Sequence, residues 1–230
     1  LRIQQAGIQF NPDRHELDYI WLNVCEQEGG SVYSGFRVIR LLQLKYIPMD
    51  VRRDAGLLQK MRTALRGVYG AGVNMVYLAA GIFEPAIGIV QCYGVTVFAE
   101  TREEAVERSR RDLAVLKSTL AGAYRQTRLE PLTVEIAEWI FKALQSMSFP
   151  IVTVGHPDPR ENARGGDAKL NDPLTGSNQT QQFSLQQNEL LFRGMSSLRE
   201  EFLLMVLANH ISLEHIATML AAQAENTATY

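Results

Sequence analysis

Residues 88–124 restrict what this chain can become more than any other stretch. Gly88-Ile-Val-Gln-Cys-Tyr-Gly-Val-Thr-Val-Phe98 is dense in β-branched and aromatic residues and lies between Pro85 and a polar run after Glu100, which predicts a strand. Thr101-x-x-Glu104 follows as a capping box, in which each side chain takes up a backbone N–H that the first helical turn leaves free. Behind it Val106, Ser109, Leu113, Leu116, Leu120 and Ala123 recur at three- and four-residue spacing, a narrow and mostly apolar stripe. Arg102, Glu103, Glu107, Arg108, Arg110, Arg111 and Asp112 occupy the other face. The expected result is a long helix lying on a sheet. That signal is architectural and brings no reaction with it.

A chain of 230 residues can bury a sizeable core, and its 46% apolar and 21% charged residues are ordinary for a globular protein. A formal net charge of −2 argues against attraction of the whole surface to nucleic acid or anionic lipid, while leaving room for a local patch. Cys25 and Cys92 have neither C-x-x-C spacing nor a His-rich neighbourhood, and read as buried free thiols in a reducing compartment. No run of about 18 apolar residues is present to span a bilayer, and no basic-then-apolar leader opens the chain. The first residue is Leu1 and the last stretch carries no terminal signature, so a piece of a longer polypeptide is expected.

Residues 1–10 alternate loosely, as in a short strand. Asn11-Pro12 places a capping residue before a proline suited to the first helical position. Leu17, Ile20, Trp21, Val24 and Cys25 then repeat at helical spacing up to Gly29-Gly30, predicting an amphipathic helix with Trp21 in the core. Residues 32–47 read as a long strand with Arg37, Arg40, Gln43 and Lys45 on a wetter face. Residues 49–69 read as a helix with Leu57, Leu58, Met61, Leu65 and Val68 inward and Arg52, Arg53, Lys60, Arg62 and Arg66 outward, closed by Gly70-Ala-Gly72. This is the most basic segment, the candidate for an acidic partner, with a solvated helix face as the plainer account. Residues 73–80 form a further strand, residues 128–133 a connector, and Thr133 caps a helix striped by Ile136, Ala137, Ile140, Phe141 and Leu144. Residues 151–154 are β-like.

With the extra helix set aside, this order predicts an α+β fold: a ferredoxin-like split βαβ antiparallel sheet with helices on one face. Residues 156–190, rich in Pro, Gly and Gln, read as a flexible linker. In the last segment Ser197-x-x-Glu200 and Ser212 are caps, so a C-terminal helical pair is expected. The domain plan is therefore 1–155 for the sheet and helices, 156–190 for the linker, and 191–230 for a helical segment leading to a missing downstream domain.

Motifs for chemistry are absent where they would be diagnostic. No G-x-x-x-x-G-K-[ST] loop exists to surround phosphates; Thr175-Gly-Ser-Asn178 has small residues but no lysine. Gly67, Gly70 and Gly72 follow a helix and precede a strand, the wrong order for a dinucleotide fingerprint. His210 and His215 are five apart, which turns them away from each other on a helix, so they read as surface or cap residues. Glu103-Glu104 and Glu200-Glu201 stand at helix starts, where the macrodipole already favours carboxylates. No G-x-S-x-G occurs, and Cys92 would pair with His156 as a nucleophile only by an accident of the fold. No catalytic, cofactor-binding or metal-binding residue is assigned.

Several features taken together resemble the N-terminal region of conjugation and type IV secretion traffic ATPases of the HerA/FtsK-like superfamily. They are the long strand 36–47, the helix after it, the strand 73–78, and Cys92-Tyr-Gly-Val-Thr-Val-Phe-Ala99 running into Thr101-Arg-Glu-Glu-Ala-Val-Glu107. Thr127-Arg-Leu-Glu-Pro-Leu-Thr133 before another helix is similar too, and Phe192-Arg-Gly-Met-Ser-Ser-Leu198 would approach the motor domain. The resemblance implies a non-catalytic docking domain that links a cytoplasmic motor to the inner-membrane part of a secretion machine. ATP and Mg would belong to the motor of the full-length protein, with none in this chain. It also implies a location peripheral to the inner membrane, protein partners there and homo-oligomeric assembly. The alternative is a stand-alone α+β nucleic-acid or small-ligand binding module, using Arg37, Arg40, Arg52, Arg53, Arg62 and Arg66 as a basic surface. An enzyme of unrecognised type ranks third.

Overall fold

The computed structural model of the chain describes residues 2–28, 31–46, 56–84, 86–124, 127–146, 194–195, 197, 200–211 and 217. The elements in chain order are β1 (Arg2–Asn11), β2 (Glu16–Glu28), β3 (Ser31–Tyr46), α1 (Gly56–Gly70), β4 (Met75–Ile82), β5 (Gly88–Ala99), α2 (Arg102–Ala123), β6 (Arg128–Pro131), α3 (Val134–Ser146) and β7 (Phe202–Ala208). The fold is mixed α+β, and the described residues form a seven-stranded sheet ordered β1-β2-β3-β5-β4-β7, with β6 pairing with β3. β3 is the spine: it runs antiparallel to β2 along residues 31–39, to β6 along residues 42–46, and to β5 on its other side.

Thr101 is the N-cap of α2, its side chain accepting from the Glu104 N–H. Ala105, Ser109, Leu116 and Leu120 form the buried side of that helix. α1 ends in a Schellman motif: Gly72 takes φ +69°, its N–H donates to the Tyr69 carbonyl at 2.9 Å, and Val73 N–H donates to the Val68 carbonyl at 3.2 Å. Val73 and Val68 then meet in one apolar cluster with Ala64, Val95, Leu116 and Leu120, which seats α1 and α2 together against β5. Leu65, expected inside, is 42% exposed.

The register fixes the two faces of the sheet. Val38, Arg40 and Leu42 of β3 stand opposite Val97, Val95 and Tyr93 of β5, on the face that α2 covers. Ile39, Leu41 and Gln43 alternate to the other face, opposite Thr96, Gly94 and Cys92, and are buried as well. A strand buried on both faces loses its alternating pattern. Gly94 is required at the crossing, because a Cβ there would collide with the Arg40 carbonyl of the neighbouring strand.

Three expectations are corrected. Residues 16–28 are a strand, not an amphipathic helix. Asn11 does cap locally, its side chain accepting from Asp13 N–H at 3.0 Å and its carbonyl from His15 N–H at 3.0 Å. But His15 takes φ +52°, the left-handed region, so the single helical turn stops and reverses the chain into a hairpin. Residues 128–131 are not a bare connector but β6, hydrogen-bonded to β3. Residues 202–208 are strand β7 rather than the first of a helical pair, and Ser197 Oγ donates to the Gly194 carbonyl at 2.7 Å. The linker 156–190, the β-like run 151–154 and the segment from Ser212 onward (apart from helical Ala217) lie outside the described residues.

The chain divides into two compact units: Leu1–Ala80 with Val90–Lys142 and Leu203–Tyr230, and Gly81–Ile89 with Ala143–Phe202. The first holds the sheet core and the helices α1 and α2. In the second, Ile87 N–H donates to the Ile82 carbonyl at 3.1 Å, closing the β4–β5 turn, and the Phe202 ring lies against Gly81 where a Cβ would clash.

Candidate protein-interaction surface

Of the six arginines expected to make a basic surface, the three whose side chains are described, Arg37, Arg40 and Arg66, do not share one surface. Arg40 is 4% exposed and points into the helix-covered face, a correction to its place on a wetter strand face. Arg37 is half-buried on the opposite face of the same strand. Arg66 is exposed on α1. Arg62 lies in α1, and Arg52 and Arg53 lie outside the described residues.

Arg40 is held by a defect in the hairpin beside it. Along β1 and β2 the partners run Gln9 with Tyr19 and then Phe10 with Leu17, so Asp18 is an extra residue on β2. Such a bulge bends its strand and re-aims the side chain beside it. Past it β2 leaves β3: Leu17 N–H donates to the Leu132 carbonyl at 2.8 Å, and Glu16 bridges to Thr133. The Arg40 guanidinium fills the opening. Its Nη1 donates to the Asp18 carbonyl at 3.0 Å and to the Asp18 carboxylate, and its Nε donates to Ser109 Oγ of α2 at 2.9 Å. Ser109 Oγ in turn donates to the Val106 carbonyl at 2.8 Å. Arg40 therefore ties the bulge, the spine strand and the long helix to one another.

Aromatic rings extend this tie toward the start of α2. The Arg40 guanidinium lies 5.2 Å from the Tyr19 ring, with Arg102 5.6 Å from it, and Arg102 also stacks 4.7 Å over Trp21. Arg102 Nη2 donates to Tyr19 Oη at 3.1 Å. Trp21 in turn covers Gly7 of β1, where a Cβ would sit 2.7 Å from the indole. Cation–π contacts of this kind contribute about 0.5–2 kcal/mol each. The cluster fixes the β1–β2 hairpin to the main body. No sequence signal announced it, since a strand bulge has no motif.

Cys92 is fully buried opposite Gln43, and burial pushes its thiol up to about 12, against a smaller downward pull from Lys45. Tyr77, whose ring centroid is 5.3 Å from that of Tyr93, is likewise raised to about 12 by burial and then by Tyr93 and Cys92. A thiol raised this far is protonated and inert at neutral pH, the opposite of an activated nucleophile. Among the described residues no group of three His, Cys, Asp or Glu side chains could hold a metal ion, and no helix is long and apolar enough to cross a membrane.

What the structure does present outward is the edge of its sheet. β1 ends the strand order, pairing with β2 alone among the described residues, and Ile3, Gln4, Gln5 and Gln9 are exposed. At the far end β7 exposes Val206 and Leu207. Comparison with known protein families, with curated proteins and with solved structures finds no match to the chain.

Proposed function

We propose that this chain is a non-catalytic assembly domain, of the kind that docks a type IV secretion or conjugation ATPase onto inner-membrane partners. The observation that carries the reading is a pinned sheet whose end strand β1 pairs only with β2 among the described residues, since an unpaired strand edge offers a row of backbone donors and acceptors to another chain. The frame supports it. Strands β6, β3, β5 and β4 lie side by side in that order, with α1 between β3 and β4 and α2 between β5 and β6 in the chain. We read that order as a ferredoxin-like split βαβ unit, with β1, β2 and β7 as additions to it. In this reading ATP and Mg belong to a motor domain elsewhere in the full-length protein, and the domain works as part of a homo-oligomer at the cytoplasmic side of the inner membrane. The nucleic-acid or small-ligand module is the weaker reading, because Arg40 is committed to Asp18 and Ser109.

Flotation with vesicles tests the proposal. The chain is expected to bind inverted inner-membrane vesicles that carry secretion proteins, and to lose that binding when the vesicles are shaved with protease. Equal binding to protein-free lipid vesicles, or magnesium-dependent nucleotide turnover by the chain alone, would overturn it. Nucleic-acid binding that falls steeply with salt would favour the alternative.

A further inference from the structure

We propose that β1 is a self-pairing edge through which two copies of this chain join, antiparallel, into one continuous sheet with Ile8 on the two-fold axis. The inference rests on the assembly reading in taking the sheet edge as the docking element, and goes further by naming the edge, the occupant and the register.

The register follows from the faces of β1. Gln5, Gly7, Gln9 and Asn11 stand opposite Asn23, Trp21, Tyr19 and Glu16; Ala6, Ile8 and Phe10 stand opposite Leu22, Ile20 and Leu17. One face of the strand therefore carries amides around a glycine, and the other carries only apolar side chains. A two-fold axis perpendicular to the sheet keeps faces together, so residues of the same face must meet across it. Centred on Ile8, Ile8 meets Ile8 and Ala6 meets Phe10 on the apolar face. On the amide face Gln5 meets Asn11 and Gly7 meets Gln9. The pairing uses residues 5–11 and stops at Gln4, the extra residue of the bulge between Ile3 and Gln5, where a regular ladder ends. Centring on Gly7 or Ala6 instead would set the bulged Gln4 against Phe10 or Ile8.

Charge agrees with this register. The only charged residue of β1 is Arg2, which falls outside the paired stretch, so no like charges face each other. Edge strands that avoid pairing usually carry lysine, proline or an inward charge, and residues 5–11 carry none of these. β7 is the other end strand, but its run Phe-Leu-Leu-Met-Val-Leu-Ala is apolar throughout, so every register is equivalent and none is specified. A strand pairing of seven residues is a small interface, and the dimer is accordingly weak and reversible.

Sedimentation equilibrium of the chain over a wide concentration range, with paired substitutions at the two contacting amide positions, tests the inference. Gln5→Lys with Asn11→Asp sets opposite charges face to face twice across the axis and is expected to tighten the dimer about fivefold. Gln5→Glu with Asn11→Asp sets like charges there and is expected to weaken it about fivefold. Asp at position 11 keeps the oxygen that caps the turn, and circular dichroism verifies that both variants fold. A chain that is monomeric at every concentration overturns the inference, as does a dimer equally stable in both variants or one abolished by Val206→Lys in β7. Any of these results would leave vesicle binding, and hence the docking of the chain onto inner-membrane partners, intact.

Discussion

Replacing Arg40 by methionine isolates what its guanidinium does, because the apolar stem is kept and only the charged fork is lost. Four interactions disappear: those with Ser109 Oγ, the Asp18 carbonyl and the Asp18 carboxylate, and the cation–π contact with the Tyr19 ring. Hydrogen bonds to a charged group contribute about 1.5–3 kcal/mol each, so the two neutral acceptors alone represent about 3–6 kcal/mol. Two effects reduce this. Removing a buried cation recovers its desolvation cost. The Asp18 side chain is 35% exposed, so its carboxylate returns to water instead of being stranded. The net expectation is about 3 kcal/mol of destabilisation, or a fall in Tm of about 6–12 °C for a chain of this size. Asp18→Asn keeps the bulge and the backbone acceptor, and should lose only about 1 kcal/mol. Urea denaturation of the two single variants and the double variant closes the cycle, with a coupling of about 1 kcal/mol expected between two groups in contact. An Arg40→Met variant within about 0.5 kcal/mol of the parent would refute the claim that this guanidinium holds the bulge to the body.

Other consequences are equally concrete. Thr101→Ala removes the α2 cap and should cost about 0.5–2 kcal/mol in the same urea assay, with Thr101→Ser close to neutral. Gly94→Ala drives a Cβ into the Arg40 carbonyl and should cost more than about 3 kcal/mol or prevent folding, read as loss of the cooperative transition. In the native chain a thiol reagent should modify half-buried Cys25 first and reach Cys92 only on unfolding; equal native rates would contradict the burial. Cys92 and Tyr77 hold their protons up to about 12 when folded but have ordinary values of 9.0 and 10.0. Their contribution to stability is therefore complete below about pH 9 and lost as pH rises toward 12, so the urea midpoint should be flat and then fall across that window. A midpoint that rises there would show the sign to be wrong.

Local chemistry made much of the frame legible. The Thr101 cap, the glycine pair closing α1 and the β-branched run of β5 each act over a few residues, and each does in the fold what its residues promised. β2 was illegible for a physical reason. Its bulge at Asp18 places Leu17 and Ile20, three apart, on one face of a strand, which imitates the spacing of a helix. Both faces of that strand also carry apolar or aromatic residues, so no alternation was left to contradict the imitation. β6 has four residues, and what defines it is pairing with β3, a tertiary partner that sequence does not display. β7 failed because a run of apolar residues after a serine suits a helix as well as an edge strand. For the candidate surface, charge alone put Arg40 outside. Its true position depends on Asp18 and Ser109, distant in sequence, offering acceptors in one opening.

The claim that this chain is the docking part of a motor is tested most directly by the sequence of the native polypeptide beyond Tyr230. The account predicts an extension that carries G-x-x-x-x-G-K-[ST] between a strand and a helix, the loop whose backbone N–H groups and lysine hold nucleotide phosphates. A stop codon shortly after Tyr230 would contradict it and leave the open-edged sheet as a binding module in its own right.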